Sequence, residues 1–502
     1  MAALRVNILV NYLGQFWMLA MALLFLPLYM RLLGMEAFGL VGLMLSFQGI
    51  LQLFDFGIGG ATNRELARGA NGSTSPDATR DLVLSAEIVI WLIAVFIALA
   101  MWAGSTMMAN HWLHLEHIDT LQAIRAIAVM GIALALLWPT TFYTNCLSGL
   151  ERQPALNLIN AIFATLRYAG VVPVLLLVAP TIEVFLWWSA VVGLGQSVVM
   201  AVVVWRILPK GSRVARWSAS GLRQGHRFAS GLFAIGVLAL ATSQLDRLML
   251  VSFRPLEEFG YYTLALSVAS GLGRMVMPMF NALYPRFSRL VAADEEATLS
   301  ELYHRSSQYL AVVIAAVSAV LIVFAYEVLL LWTGDPAIAN RVSTPMSILV
   351  AGSAFNGFVN IPYALQLAHG WTRLALGLNA GSLIIGIPLC LWAVPKYGMV
   401  GASLLWLTAN MISFGIGVPL MHRVLLRGHV LRWYLRDILP PLFAGLSTAL
   451  LLNILLPMWP HGFVGMMLLA LVSALTFIAS GFAMPAVRAA VRKRVSMDSG
   501  ST

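Results

Sequence analysis

Charge is scarce in this sequence, and that scarcity is the first limit on what the protein can be. Ten per cent of its 502 residues are charged, where a soluble protein carries roughly a quarter. With 60% of residues hydrophobic, no stretch is polar enough to stand as a water-soluble domain. Only two cysteines occur, Cys146 and Cys390, each inside an apolar run and without a metal-binding companion. That argues against disulfide or zinc chemistry and for two small buried hydrophobes. There is no Walker motif, no Gly-x-Ser-x-Gly and no His-Glu-x-x-His, so ATP hydrolysis and the common hydrolase chemistries have no visible apparatus. Nothing calls for a cofactor. The net charge of +10 does not point to nucleic acid, because the cations are scattered over short loops.

What the chain has in abundance is long apolar runs. A helix needs roughly 20 residues to cross a bilayer. A window of about 19 residues predicts spans near 7–33, 38–60, 82–109, 123–147, 155–178, 183–206, 228–254, 259–283, 309–333, 343–368, 373–394, 399–422, 438–457 and 463–484. The first is too long for a signal-peptide core and reads as a retained span. One set of alternate loops carries Arg64, Arg68, Arg80, Arg152, Lys210, Arg213, Arg216, Arg223, Arg286, Arg289, Arg305, Arg423, Arg427, Arg432 and Arg436, and the tail adds Arg488, Arg492, Lys493 and Arg494. The opposite side has little beyond Arg31, Arg254, Arg341 and Lys396. The positive-inside bias therefore predicts an all-α, multi-pass protein of fourteen spans with both termini cytoplasmic.

The chain also echoes itself. Glu36-Ala37-Phe38-Gly39 opens the second span and Glu257-Glu258-Phe259-Gly260 the eighth, and from 36 to 257 the offset is 221 residues. At the same offset Ser46 falls on Ser267 and Arg68 on Arg289. Six spans separate the copies, and an even number keeps both in one orientation, as parallel repeats about an axis along the membrane normal. The expected organisation is an N-lobe (1–208), a basic cytoplasmic linker (209–227), a C-lobe (228–423), two accessory helices (424–485) and a cytoplasmic tail (486–502). The two six-helix lobes would face a central cavity.

Charges inside spans cost about 2.5–3.5 kcal/mol at mid-helix on insertion scales, so they face a cavity or a partner. Arg167 and Arg274 lie deepest, joined by Asp246, Arg247 and Asp55. Glu87 and Arg125 lie near span ends, where snorkelling suffices. A guanidinium keeps its charge and presents a planar fork suited to phosphate oxygens. Two readings stand for each arginine: a cationic site for an anionic, phosphorylated substrate, or an ion pair that ties helices together. Asp246 is a candidate proton or sodium site or a member of such a network. Asp55 precedes a glycine-rich turn that suits close packing. Asn356, Asn360, Tyr363 and Gln366 form a polar stripe at spacings of three and four, able to bind sugar hydroxyls or another helix. His111, His114 and His117 recur at the spacing of one helix face, as a metal site would, but the interleaved Trp112, Leu113 and Leu115 suit a short interfacial helix better.

Several stretches carry a family resemblance. They are Asn11-Tyr12-Leu13-Gly14 through Pro27-Leu28-Tyr29, and Arg31-Leu32-Leu33-Gly34-Met35-Glu36-Ala37-Phe38-Gly39-Leu40. Leu53-Phe54-Asp55-Phe56-Gly57 with Asn63-Arg64-Glu65, and Asp246-Arg247 followed by Phe259-Gly260-Tyr261-Tyr262-Thr263-Leu264-Ala265, add to them. Together they resemble the Wzx-type polysaccharide flippases of the multidrug/oligosaccharidyl-lipid/polysaccharide exporter superfamily. The resemblance implies a two-lobed, non-enzymatic transporter in the bacterial inner membrane that moves undecaprenyl-diphosphate-linked sugar repeat units outward by alternating access, drawing on an ion gradient. Joined to the residue reading above, it puts Arg274, Arg247 and Arg167 at the diphosphate, Asn360, Tyr363 and Gln366 at the glycan, and Asp246 or Asp55 in ion coupling, as expectations. Membrane lipids, a polysaccharide polymerase and a chain-length regulator are the implied partners. Lipid II flippases and cation-coupled drug exporters of the same superfamily are the alternatives, although the acidic and basic residues that mark the first helix of lipid II flippases are absent. A membrane O-antigen ligase or polymerase is a further one, against which the small external loop near 110–122 counts.

Overall fold

The computed structural model describes residues 2–55, 57–69, 75–456, 459–460, 462–485 and 487–488; the side chains of 2–13, 15, 69 and 220–235 are not described. Phe56, the side chains of Asn11, Tyr12, Leu13 and Arg223, and all but two residues of the expected tail therefore lie outside the described residues. Among the described residues the chain is helical throughout, with one isolated bridge, between His114 and Pro255. It divides into two compact units, Met1–Gly260 and Tyr261–Thr502.

The first unit holds α1 (Ala2–Leu33), α2 (Met35–Leu51), α3 (Ile58–Gly69), α4 (Pro76–Met107), α5 (Thr120–Leu137), α6 (Pro139–Gly149), α7 (Gln153–Tyr168), α8 (Val171–Leu177), α9 (Ile182–Ile207) and α10 (Ala219–Phe253). Short polar residues start these helices by accepting the free amides of the first turn. Ser75 accepts from Ala78 ahead of α4, Asp119 from Leu121 and Gln122 ahead of α5, and Thr181 from Val184 ahead of α9. α5 packs between α4 and α9, α1 lies on α7, and α10 lies on α2, α3 and α4. A division by repeat places α10 with the second half of the chain; by packing it lies with the first.

α11 (Leu256–Ala292) crosses from the first unit into the second. The second unit continues with α12 (Glu296–Val323), α13 (Ala325–Thr333), α14 (Pro336–Ala368), α15 (Arg373–Ile412), α16 (Val418–Leu425), α17 (Val430–Arg432), α18 (Leu439–Leu455) and α19 (Gly462–Phe482). α14 packs on α12, α13 and α15, while α18 and α19 pack on α12.

Among the described residues, twelve stretches are long and apolar enough to cross a membrane, against the fourteen expected. The count differs at two places. The stretch Arg373–Leu425 runs for 53 residues, and Gly398 within it takes φ 54°, ψ −129°. That conformation lies outside the helical basin and breaks the stretch where spans 373–394 and 399–422 meet. The expected seventh span falls on α10, part of whose side chains are not described. The protein is a multi-pass membrane protein.

The 221-residue echo has a counterpart in the packing. A Cβ on Gly39 would lie 2.4 Å from the Leu256 carbonyl oxygen, and a Cβ on Gly260 would lie 2.3 Å from that of Met35. Met35 and Leu256 are themselves separated by the same offset, so the two hairpin motifs cross reciprocally, glycine against backbone. Ser46 donates to the Gly42 carbonyl and Ser267 to that of Thr263, again equivalent positions. Gly57, at φ 75°, interrupts the helix between α2 and α3; its counterpart is Pro278, inside the unbroken α11.

The histidine segment departs from expectation. It is no interfacial helix: α4 ends in a π-helical turn at Met108–Trp112, and Leu113 is extended. The Glu36 carboxylate then accepts from the backbone amides of Glu116, His117 and Ile118 at 2.7–2.8 Å. A buried carboxylate outcompetes the helix for those donors, so the spacing of three does not align the histidines. His117 instead joins Glu116 and Glu257, with ligand atoms within 4.8 Å of one another.

The linker 209–227 is also clamped. Asp81 accepts from the Arg213 guanidinium and, at 2.7 Å, from the Arg216 amide. Asp77 accepts from the Ser212 hydroxyl, and the Ser85 hydroxyl accepts from the Ser218 amide at 2.8 Å. On the side with few cations, Arg254 pairs with Glu258 at 2.7 Å, while Arg341 lies over Tyr261 and Lys396 over Trp392, as cations do at an interfacial aromatic belt. Cys146 and Cys390 are buried, and neither is in a disulfide among the described residues.

Candidate substrate site

The first unit positions two of the three arginines. Arg167 sits at the C-terminal end of α7, where α1 and α9 hold the turn from both sides. Tyr29 donates to the Tyr168 carbonyl at 2.6 Å, Trp17 to the Thr165 hydroxyl at 2.9 Å and Trp188 to the Leu166 carbonyl at 2.9 Å. The Arg167 guanidinium donates to Gln196 Oε1 at 2.7 Å, and Gln196 donates on to Asn160 at 3.0 Å. The partner is a neutral amide, and the Nε of Arg167 is buried without an acceptor. A guanidinium so placed keeps unused donors and an uncompensated charge.

Arg247 is half-buried on α10 and donates to Gln244 Oε1 at 3.0 Å, one turn back. Gln244 is in turn pinned against α2, since a Cβ on Gly49 would fall 2.5 Å from its amide nitrogen. Asp246, next to Arg247, is 3% exposed and points elsewhere, as adjacent helical residues must. Asp55 serves as a helix cap, with both its oxygens accepting from the Gly59 amide at the start of α3, at 3.0 and 3.2 Å.

The second unit carries Arg274, exposed on α11 and without a hydrogen bond or ion pair among the described residues. Further along the same helix, Phe280 stacks on Tyr284 and on Tyr363 of α14, with centroids 6.2 and 6.0 Å apart. The polar stripe on α14 divides. Asn356 bonds Asn410 of α15 at 2.8 Å, a helix-to-helix contact. Asn360 returns a bond to the Asn356 carbonyl at 3.0 Å. Gln366 is 3% exposed, with its carbonyl oxygen buried and unbonded. Tyr363, half-buried in the aromatic stack, is the member of the stripe best placed to meet a ligand.

Two further groups escaped the sequence reading. Glu87, expected to snorkel, is turned inward: Tyr143 donates to it at 2.5 Å and Trp205 at 2.9 Å. His304 and Asp437 are paired in the interior, 2% and 0% exposed. Neither partner set is visible locally, because the residues concerned are 56 to 133 positions apart.

Long apolar helices, with Arg167 and Arg247 bonded to neutral amides, define a polytopic membrane protein. Comparison with known proteins agrees. Residues 4–291 match the family described as polysaccharide biosynthesis protein, and the chain belongs to that family. Residues 234–392 also match the MatE family. A Shigella flexneri protein described as an O-antigen transporter is 20% identical over 383 residues, covering 75% of this chain and 87% of that protein. An inward-facing multidrug-resistance MATE transporter of the MOP superfamily shares the fold at TM-score 0.65 and 15% identity, over 82% of this chain and 96% of that one. The lipid II flippase MurJ, in an inward closed conformation, does so at TM-score 0.65 and 12% identity, over 95% and 97%. The chain is a membrane transporter of that superfamily, and its resemblance to the Wzx-type flippases stands.

Proposed function

We propose that the protein translocates undecaprenyl-diphosphate-linked oligosaccharide repeat units across the bacterial inner membrane, for O-antigen, capsule or exopolysaccharide assembly, by alternating access coupled to an ion gradient. One observation carries this reading. Arg167 and Arg274 lie within spans and Arg247 on α10, the expected seventh, and none forms an ion pair among the described residues. A helix-tying arginine would have a carboxylate; these have amide carbonyls or nothing. Cations held at a cost of about 2.5–3.5 kcal/mol each await an anion, and a diphosphate supplies one with oxygens matched to the guanidinium fork. The family match and the O-antigen transporter relative support the same substrate class. Tyr363, with Phe280 and Tyr284 behind it, is a stacking face for a sugar ring, and Asn360 is a hydroxyl partner beside it. Asp246 is the first candidate for ion coupling.

A second reading, transport of lipid II, is favoured by the extent of the fold match, which takes in 95% of the chain for MurJ. Both readings share a polyprenyl diphosphate. The deciding experiment is a deletion strain, scored for lipid-linked repeat units in the cytoplasmic leaflet and for surface polysaccharide. Accumulation with loss of surface glycan, restored by wild type but not by Arg274→Ala, is the expected result. Normal surface glycan would refute it.

A further inference from the structure

The second unit contains a buried chain of ionisable groups that no part of substrate binding uses. His304 of α12 stands at its centre. Its Nδ1 bonds Asp437 Oδ2, and its Nε2 lies 2.8 Å from His429 Nδ1. Gln308 donates to the other Asp437 oxygen at 2.8 Å, and His429 Nδ1 also lies 3.5 Å from the Ser300 hydroxyl. The two imidazoles are stacked, with centroids 5.1 Å apart. Asp437 sits in a π-helical segment, Trp433–Ile438, a rare local geometry that recurs at functional sites. The chain runs from half-buried His429 and Ser300 to fully buried Asp437.

Hydrogen bookkeeping limits this chain to one added proton. An ionised carboxylate with no exposure needs a counter-charge, and the group bonded to it is His304. Only one hydrogen fits between His304 Nε2 and His429 Nδ1. With His304 neutral, His429 must donate; with His304 protonated, His429 must accept. A proton carried on His304 therefore reverses that bond without breaking any.

The surroundings favour this assignment. His422 is spoken for: its Nδ1 donates to the Val418 carbonyl at 2.9 Å and its Nε2 lies 3.2 Å from the Tyr303 hydroxyl, so both ring nitrogens have partners outside the chain. Tyr434 gives its hydroxyl to the Phe414 carbonyl. Burial, then His304 and Arg432, hold His429 below the ordinary imidazole range, while Asp437 pulls the other way. Of the elements packed on α12, α18 and α19 carry no ionisable residue, α13 carries Tyr326 and Glu327, and α14 carries Arg341 and Tyr363.

We infer that His304, Asp437 and His429 form a one-proton site, on the arginine-rich side of the protein, through which pH acts on transport. The site joins α12 to the segment leading into α18 and α19, so those last helices are more than appendages. The transport clause rests on the function proposed above; the proton site does not.

The test uses full-length protein in nanodiscs with 15N-labelled histidine, titrated between about pH 5 and 8. His304 and His429 should change together in a single step while His422 stays neutral. In Asp437→Asn that step should fall by about 1–3 pH units, the size of the lost charge interaction. Separate ordinary titrations, indifferent to Asp437→Asn, would overturn the site. The second arm reconstitutes the protein with a fluorescent polyprenyl-diphosphate oligosaccharide and compares rates across the same pH range. His304→Gln, which keeps hydrogen-bonding capacity without the proton, should flatten the profile; an unchanged profile overturns the transport clause. If wild type moves no such lipid, the proposed function fails, and the resonance titration still decides the proton site.

Discussion

Replacing Gly39 by alanine tests the reciprocal crossing of the two hairpin motifs. The new Cβ would lie 2.4 Å from the Leu256 carbonyl oxygen and 2.9 Å from its Cγ. Carbon-to-oxygen contact is ordinary from about 3.3 Å, so backbone must give by roughly 1 Å on that scale. Neither helix can rotate its carbonyl away without losing a helical hydrogen bond. Forced overpacking of this kind costs about 1–3 kcal/mol. Gly260→Ala should cost a similar amount, because its Cβ meets the Met35 carbonyl oxygen at 2.3 Å. The two clashes share one crossing, so the first alanine already forces apart what the second would have struck. The double variant should therefore fall short of the sum of the singles, with a coupling of about 0.5–3 kcal/mol. Equilibrium unfolding in mixed micelles, followed by tryptophan fluorescence, measures all three. Gly104→Ala is the control, since nothing lies within 4 Å of its Cβ position. Wild-type stability in Gly39→Ala, or strict additivity in the double variant, would refute the packing argument.

Three other outcomes are expected. Glu36→Gln removes the charge that three backbone amides share, and should loosen the 113–119 segment at a cost of about 1.5–3 kcal/mol, read as faster amide exchange there. Asp81→Asn should release the linker, so that trypsin cuts at Arg213 or Arg216 sooner than in wild type while the bundle stays intact. Arg167→Lys should impair glycan export nearly as much as Arg167→Ala, because an ammonium cannot both hold Gln196 and present a fork to a diphosphate; full export by the lysine variant would remove Arg167 from the site.

Much of the fold was legible because apolar run length is a local property. The breaks were legible for the same reason. Gly34 and Gly398 lie between predicted spans, and Ser75, Asp119, Thr181 and Asp335 stand where helix starts were needed. The candidate site was legible only as a list of costly charges. Which arginines lacked a counter-ion could not be read, since Gln196 lies 29 residues from Arg167 and could as easily have been a glutamate's neighbour. Asp55, at the end of the span Met35–Asp55, also caps the next helix through the Gly59 amide, a bond its sequence position did not announce. Glu87 looked like a snorkelling one and is held by Tyr143 and Trp205.

By itself the sequence determined that this chain lives in a membrane, that it is helical, and that one hairpin motif recurs along it. Burial in lipid leaves the backbone no other way to satisfy its polar groups, and composition states that burial directly. Tertiary structure decided which polar side chains are structural and which keep a free valence. Glu36 spends its charge on amides 80 to 82 residues away, and Asp437 meets a histidine 133 residues earlier. Only packing brings such groups into contact, and the partner a charge finds there determines whether it ties helices together or awaits a ligand.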